Sequence, residues 1–152
     1  MSEKMKVKAI NRGTVIDHIT PGQGLKILNR LHLINDKIQV TVGLNLPSKH
    51  MGHKDIIKVE DWLFSMDEAN ELALLAPDAT VNIIEDHKVA SKMKVELPGR
   101  LTGIFPCPNP NCVSHSEPVD SSFSIHPEKD GVFMRCRYCE SLFRKERFVS
   151  AP

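Results

Sequence analysis

Cys107-Pro-Asn-Pro-Asn-Cys112 and, one loop further on, Cys136-Arg-Tyr-Cys139 contain all four cysteines of this 152-residue chain. Two short-spaced pairs separated by a loop let four thiolates converge on one tetrahedral ion at about 2.3 Å each, which is what a closed structural zinc site requires. Two disulfides are the alternative, and they need an oxidising compartment. The N-terminal Met1-Ser-Glu-Lys-Met-Lys-Val-Lys8 alternates charge and has no apolar core, so no secretory signal is read there. No stretch approaches the roughly 18 apolar residues of a membrane span. The expectation is a cytosolic protein with reduced thiols, no membrane contact and one structural zinc ion per chain. Pro-Asn-Pro-Asn adds turns that free backbone N–H groups to face the sulfurs. Four cysteines fill the shell, so the ion is expected to hold the fold and perform no chemistry.

Outward from the cysteines, composition splits the chain. Residues 1–100 contain no cysteine, and 152 residues suffice for two small domains. Apolar residues make up 41%, with only six Phe, one Trp and one Tyr, so the core must depend on Ile, Val and Leu. Residues 1–100 carry 14 Lys/Arg against 13 Asp/Glu, and residues 101–152 carry six of each. Four thiolates on a divalent ion make the second part less basic still, which argues against binding a phosphate backbone through surplus cations.

Hydrophobic periodicity orders the first part. Residues 4–19 read as extended with a break at Arg12-Gly13. Thr20 and Pro21 read as cap and first turn of a helix that carries Leu25, Ile27, Leu28, Leu31 and Ile34. Ile38, Val40, Val42, Leu44 and Leu46 alternate as a half-buried strand. Pro47–Gly52 reads as a turn and Ile56–Glu60 as a strand. Ser65-Met-Asp-Glu68 has the capping-box pattern before a helix that Pro77 ends. Thr80–Glu85 and Lys88–Ala90 read as strands joined at Asp86-His87. This order predicts an α+β, ferredoxin-like βαββαβ sheet with both helices on one face and the other face open. Leu97-Pro-Gly-Arg100 reads as a hinge, giving domains at 1–96 and 97–152. Ser122–His126, Gly131–Arg135 and Leu142–Val149 read as short strands of a small all-β module that needs its metal to fold.

Catalytic motifs are not apparent. There is no nucleophile elbow, Walker loop, Gly-x-Gly-x-x-Gly or zinc-protease signature, and the seven histidines are scattered. Asp17 and His18 are adjacent on a strand and point to opposite faces, which is wrong for an acid–base pair. His115 follows Cys112 closely, yet four cysteines already complete the shell. Lys58, inside an apolar strand, and Lys92 are cations that a sheet could bring together to take a phosphorylated ligand, against the plainer reading of a solvated charged face. Arg135, Arg137, Arg144, Lys145 and Arg147 are interleaved with Glu140 and Glu146, so a zinc-ribbon nucleic-acid-binding protein stands as the alternative reading.

Gly13-Thr-Val-Ile-Asp-His-Ile19, Gly43-Leu-Asn-Leu-Pro-Ser48, Lys54-Asp-Ile-Ile-Lys58, Ala76-Pro-Asp-Ala-Thr-Val-Asn82 and the two cysteine motifs together closely resemble the regulatory chain of aspartate carbamoyltransferase, from about residue 5 to the end. The resemblance implies a non-catalytic chain with an N-terminal domain for the nucleotide effectors CTP, UTP and ATP and a C-terminal zinc domain. That zinc domain would dock on catalytic chains, in an assembly of two catalytic trimers and three regulatory dimers controlling the first committed step of pyrimidine biosynthesis. Carried over by motif, the effector contacts are Ala9, Ile10, Asp17, His18, Lys58, Asn82 and Lys92, with Lys54 nearby. Asn109, Asn111, Glu117 and Tyr138 match positions that face the catalytic chain. His87 stands where the best-known members carry Tyr, and Ser141 where they carry Lys.

Overall fold

Strand alternation, one capping box and one tight hairpin lay out the first module. A computed structural model describes residues 10–149. Ala9 and the start of the extended segment read at 4–19 lie outside them. Contacts divide the chain into two units, Met1–Glu96 and Leu97–Pro152. The first runs β1 (Gly13–Ile19), α1 (Gly24–Arg30), β2 (Val40–Ser48), β3 (Gly52–Glu60), α2 (Met66–Leu75), β4 (Thr80–Glu85) and β5 (Lys88–Lys94). Its five-stranded sheet has the order β2-β3-β1-β4-β5, and every neighbouring pair is antiparallel. β1 and β2 are therefore parallel with β3 between them, and β3 and β4 are parallel with β1 between them. Right-handed crossovers put both connecting helices on the same face. Arg30 of α1 and Glu71 of α2 form an ion pair that ties the helices together.

The helix-covered face is the core. Ile16, Ile57, Val59 and Val81 lie on it by register, fully buried like Ile27, Leu72 and Leu74 of the helices. α2 starts as its sequence dictates: the Ser65 hydroxyl accepts the Glu68 N–H at 3.2 Å, and the Glu68 carboxylate accepts the Ser65 N–H at 2.9 Å. Asp86 and His87 both take positive φ, 51° and 65°, as a two-residue hairpin with the right-handed twist of its strands requires. The His87 N–H donates to the Asn11 carbonyl at 2.9 Å, which helps offset the strain.

Gly13 has φ +142°, and a Cβ there would lie 2.1 Å from the Val59 carbonyl oxygen of the adjacent strand. The next nearest atoms, of Glu60 and Asp61, are backbone as well, which leaves no flexible group to give way. Gly13→Ala is expected to lower the urea midpoint by the equivalent of about 2–3 kcal/mol. An unchanged midpoint would show that β1 and β3 separate freely at this end.

Several local readings need correction, among them the start of β3, which is Gly52 and not Ile56. Residues Thr20–Gln23 form a turn, closed by Gln23 N–H donating to the Thr20 carbonyl at 3.0 Å, and the helix starts at Gly24 with Gln23 in the cap position. Its apolar stripe is narrower than periodicity suggests, because Leu25 and Ile34 are 54% and 63% exposed. β2 starts at Val40, and its register shifts between Gly43 and Leu46, where Asn45 has φ +56°. That bulge turns Leu44 outward, 47% exposed, and moves Leu46 to the face opposite Val42. Finally, the strand read at 142–149 stops early.

The second unit contains β6 (Arg100–Thr102), β7 (Ser122–Glu128), β8 (Gly131–Cys136), β9 (Leu142–Arg144) and a one-turn helix α3 (Glu146–Val149), with sheet order β6-β7-β8-β9. α3 replaces the end of the expected strand and carries Phe148 into an aromatic cluster. Its ring meets Phe105, Phe123 and Phe143 edge-on at 5.5, 4.9 and 5.9 Å. Leu101, Phe123, Ile125 and Met134 share that buried side of the sheet.

Candidate functional site

Residues paired across antiparallel strands point to the same face. Val15 pairs with Lys58 on one side and Asn82 on the other, Lys58 pairs with Thr41, and Asn82 pairs with Lys92. Thr41, Lys58, Val15, Asn82 and Lys92 thus form one row across all five strands, on the face away from the helices. Val15 also belongs to a small apolar floor on this module, with Ile10, Ile56 and Ile84, and Leu46 packs against it. Of the residues expected to contact a nucleotide, Ile10 lies in the floor and Lys58, Asn82 and Lys92 in the row.

Asp17 stands two positions beyond Val15 and so on the same face. Its carboxylate accepts the Lys54 ammonium at 2.9 Å and the His18 N–H at 2.6 Å. Burial lowers the pKa of Lys58 below the ordinary lysine value, with the Asp17 charge opposing the shift. A cation held partly out of water in this way gains from an anionic ligand.

His18 departs from the strand. Its φ is +57°, inside the register shift between Ile16 and Ile19, and its Nδ1 lies 3.0 Å from the Thr80 hydroxyl. The ring meets His50 edge-on at 6.1 Å. Its carboxylate neighbour Asp17 bonds the His18 backbone, so no acid–base pair forms. Beside the row, His18, His50, Met51, Asp78, Thr80 and Lys94 line a cavity of about 400 Å³. Sequence reasoning missed Thr80, His50, Asp78 and Lys94. The last is findable: two positions after Lys92 on a strand is the same face, but the sequence pattern ends the strand at Ala90, whereas it runs to Lys94.

In the second unit the four cysteine sulfurs all lie within 4.8 Å of one another. Cys107 and Cys139 are 3.8 Å apart and Cys112 and Cys136 are 3.7 Å apart. Sulfurs bound to a central ion at about 2.3 Å stand about 3.8 Å from each other in a tetrahedron, whereas a disulfide bond is about 2.05 Å. The disulfide alternative fails and the donor set fits a soft four-coordinate ion. Burial pushes the Cys139 thiol up, but hydrogen bonds from Ser141, Asn109 and Cys136 outweigh it and bring the group down to about 6. Burial pushes Cys107 up, with the Asn109 backbone opposing it. The Tyr138 N–H reaches the Cys136 sulfur at 3.4 Å, and Ser114 lies 3.1 Å from that of Cys112. His115 is no ligand: its Nε2 sits 3.0 Å from the carbonyls of Cys107 and Asn109 and closes the loop.

Two family models match in order. Residues 5–96 match the aspartate carbamoyltransferase regulatory chain allosteric domain, and residues 99–149 match the metal binding domain of the same chain. The chain belongs to the aspartate carbamoyltransferase regulatory chain family. Relatives bearing that name include one from Tolumonas auensis, 55% identical over 148 residues covering 96% of each chain. Another from Aeromonas salmonicida is 51% identical over the same span, and one from Vibrio parahaemolyticus is 46% identical over 143 residues, 94% of each. The match is to the regulatory chain and not to the catalytic one.

Within this regulatory chain the expected partner-facing residues cluster around the cysteines. Asn111 and Glu117 are exposed. Asn109 accepts the Asn111 N–H on its side chain at 3.0 Å, and the Tyr138 hydroxyl donates to the Asp120 carbonyl at 2.9 Å. Among the described residues no helix is long and apolar enough to cross a membrane.

Proposed function

We propose that this chain is the cytosolic regulatory subunit through which nucleotides control aspartate carbamoyltransferase, the first committed step of pyrimidine biosynthesis. The observation that carries the reading is the row of Lys58, Asn82 and Lys92 across the open sheet face, with Asp17 and Lys54 beside it. Lysines at Lys54, Lys58 and Lys92 suit the phosphates of CTP, UTP or ATP as point charges, and Asn82, Asp17, His18 and the backbone near Ile10 suit the base and sugar. Residues 1–96 act as the nucleotide-binding domain. Residues 97–152 hold one zinc ion at Cys107, Cys112, Cys136 and Cys139 and dock on catalytic chains through Asn109, Asn111, Glu117 and Tyr138. The assembly is two catalytic trimers with three regulatory dimers. For this to be allostery, each nucleotide must bind the low- and high-activity assemblies unequally, typically by about 1–3 kcal/mol.

The test is the aspartate saturation curve of cognate catalytic trimers, with and without the zinc-loaded chain, each with and without CTP. A hyperbolic curve turned sigmoidal by the chain and moved by CTP is the expected result. No complex at micromolar concentrations and no change in the curve would end the reading. At residue level, Lys58→Ala is expected to weaken CTP binding in calorimetry by about tenfold to a hundredfold, since a hydrogen bond to a charged group contributes about 1.5–3 kcal/mol. Lys26→Ala, on an exposed part of α1, is the control. Equal losses in the two variants would place the nucleotide elsewhere.

A further inference from the structure

Lys58 stands where charge and apolar surface meet on the open face of the first sheet. Register sets it beside the buried Val15, and its strand neighbours Ile57 and Val59 are fully buried on the opposite face. Three strand spacings, about 14 Å, separate it from Lys92 in the same row, a gap that two extended lysine side chains close around one phosphoryl group. Lys54, four positions earlier on β3, completes the set. The three lysines differ in their surroundings. Lys54 is engaged by the Asp17 carboxylate at 2.9 Å, Lys92 is exposed on the edge strand β5, and Lys58 is half-buried. Withdrawal from water disfavours the ammonium and lowers the Lys58 pKa, with the Asp17 charge opposing, so a larger share of it is neutral, nucleophilic amine.

We infer that Lys58 is a modification site, acylated on Nζ by small acyl phosphates whose phosphoryl group rests between it and the cations of Lys54 and Lys92. Phosphate oxygens take charge-assisted hydrogen bonds from lysine. A reagent held by its phosphate presents its carbonyl carbon to the nearby amine, and proximity of this kind replaces a collision in bulk water. Desolvation is one of the means by which a lysine becomes a nucleophile. The Lys58 ammonium first gives a proton to solvent. The electron pair of the amine then forms a C–N bond to the acyl carbon. The bond from that carbon to the phosphate oxygen breaks, and the phosphate leaves with that electron pair and takes the second nitrogen proton. An amide replaces the ammonium, so the face loses one positive charge where a nucleotide phosphate is proposed to sit. Acylation follows from the lysine cluster itself, and its effect on nucleotide control rests on the function proposed above.

Full-length chain loaded with zinc is incubated with acetyl phosphate, and acetylation of each lysine is followed by mass spectrometry of its peptides. Lys58 is expected to react about tenfold faster than Lys26, which is exposed on α1, and Lys92→Ala or excess CTP to remove most of that lead. Chain acetylated at Lys58, like Lys58→Gln, is expected to bind CTP about tenfold more weakly in calorimetry. Should Lys58 react no faster than Lys26, or keep its whole lead in Lys92→Ala, the acylation site is refuted while the nucleotide reading stands. Should Lys58 lead while CTP neither protects it nor loses affinity, the nucleotide reading falls and the acylation site stands.

Discussion

Cys136→Ser is expected to unfold residues 97–149 and leave the first module folded. In amide spectra, the resonances of 97–149 should collapse to the narrow range of an unfolded chain while those of 10–96 keep their dispersion. The reason is the size of the second unit. Its core reduces to Leu101, Phe105, Phe123, Ile125, Met134 and Phe148 around a four-stranded sheet in which two strands have three residues each. That little apolar burial does not hold about fifty residues against their conformational entropy. Structural zinc contributes about 10–16 kcal/mol in small cysteine modules, all of it folding free energy when the ligands are scattered in the unfolded chain. Cys136 ends β8 while Cys107 and Cys112 sit on the loop between β6 and β7, so the ion joins sheet to loop. Chelation of wild type should reproduce the variant, and either should abolish assembly with catalytic chains, since Asn109 and Asn111 lie between two of the ligands. A second module that keeps its dispersion without metal would show that the aromatic cluster suffices.

The contrast between what sequence revealed and what it hid follows the range of the interactions. Ser65-Met-Asp-Glu68 and Asp86-His87 were legible because a capping box and a two-residue hairpin are decided within four residues. The cysteine tetrad was legible because metal chemistry constrains spacing. Faultless alternation from Ile38 to Leu46 misled because a bulge costs the sequence no visible signal: Asn45 tolerates positive φ, and what turns it is a carboxylate ten positions away. Thr20 was a reasonable cap by local rules, but the start of α1 is fixed by that same carboxylate. The strand read through Val149 failed because the aromatic packing of Phe148 overrides strand propensity. For the open face, individual lysines were visible but the row they form was not, because register across β3, β1, β4 and β5 is a tertiary property.

The carboxylate that sequence reading passed over is Asp55, and its removal is expected to cost the first module about 3–5 kcal/mol. Asp55 is 0% exposed. One oxygen accepts the N–H of Gly22 at 3.0 Å and of Gly24 at 2.9 Å, and the other accepts that of Asn45 at 2.8 Å. Three donors from the turn before α1 and from the β2 bulge thus converge on one side chain of β3, and a Cβ on Gly24 would come within 3.0 Å of it. Asp55→Ala orphans all three N–H groups, each costing about 1–3 kcal/mol if buried and unpaired, less whatever an entering water restores. Against a typical domain stability of about 5–15 kcal/mol, the loss is large enough to read directly as a lowered urea midpoint. Asp55→Asn separates shape from charge, since one oxygen remains while the new amide faces donors with a donor; it should recover only part of the loss. Asp17→Asn provides the comparison. Its partner Lys54 is also partly exposed, so breaking that pair should change stability by about 1 kcal/mol or less and register in nucleotide affinity. Asp55 then acts on the open face only by fixing β3, which carries Lys54 and Lys58, against β2 and α1. A loss below 1 kcal/mol for Asp55→Ala would mean that the turn and the bulge are held by packing of Ile27 and Leu28 alone.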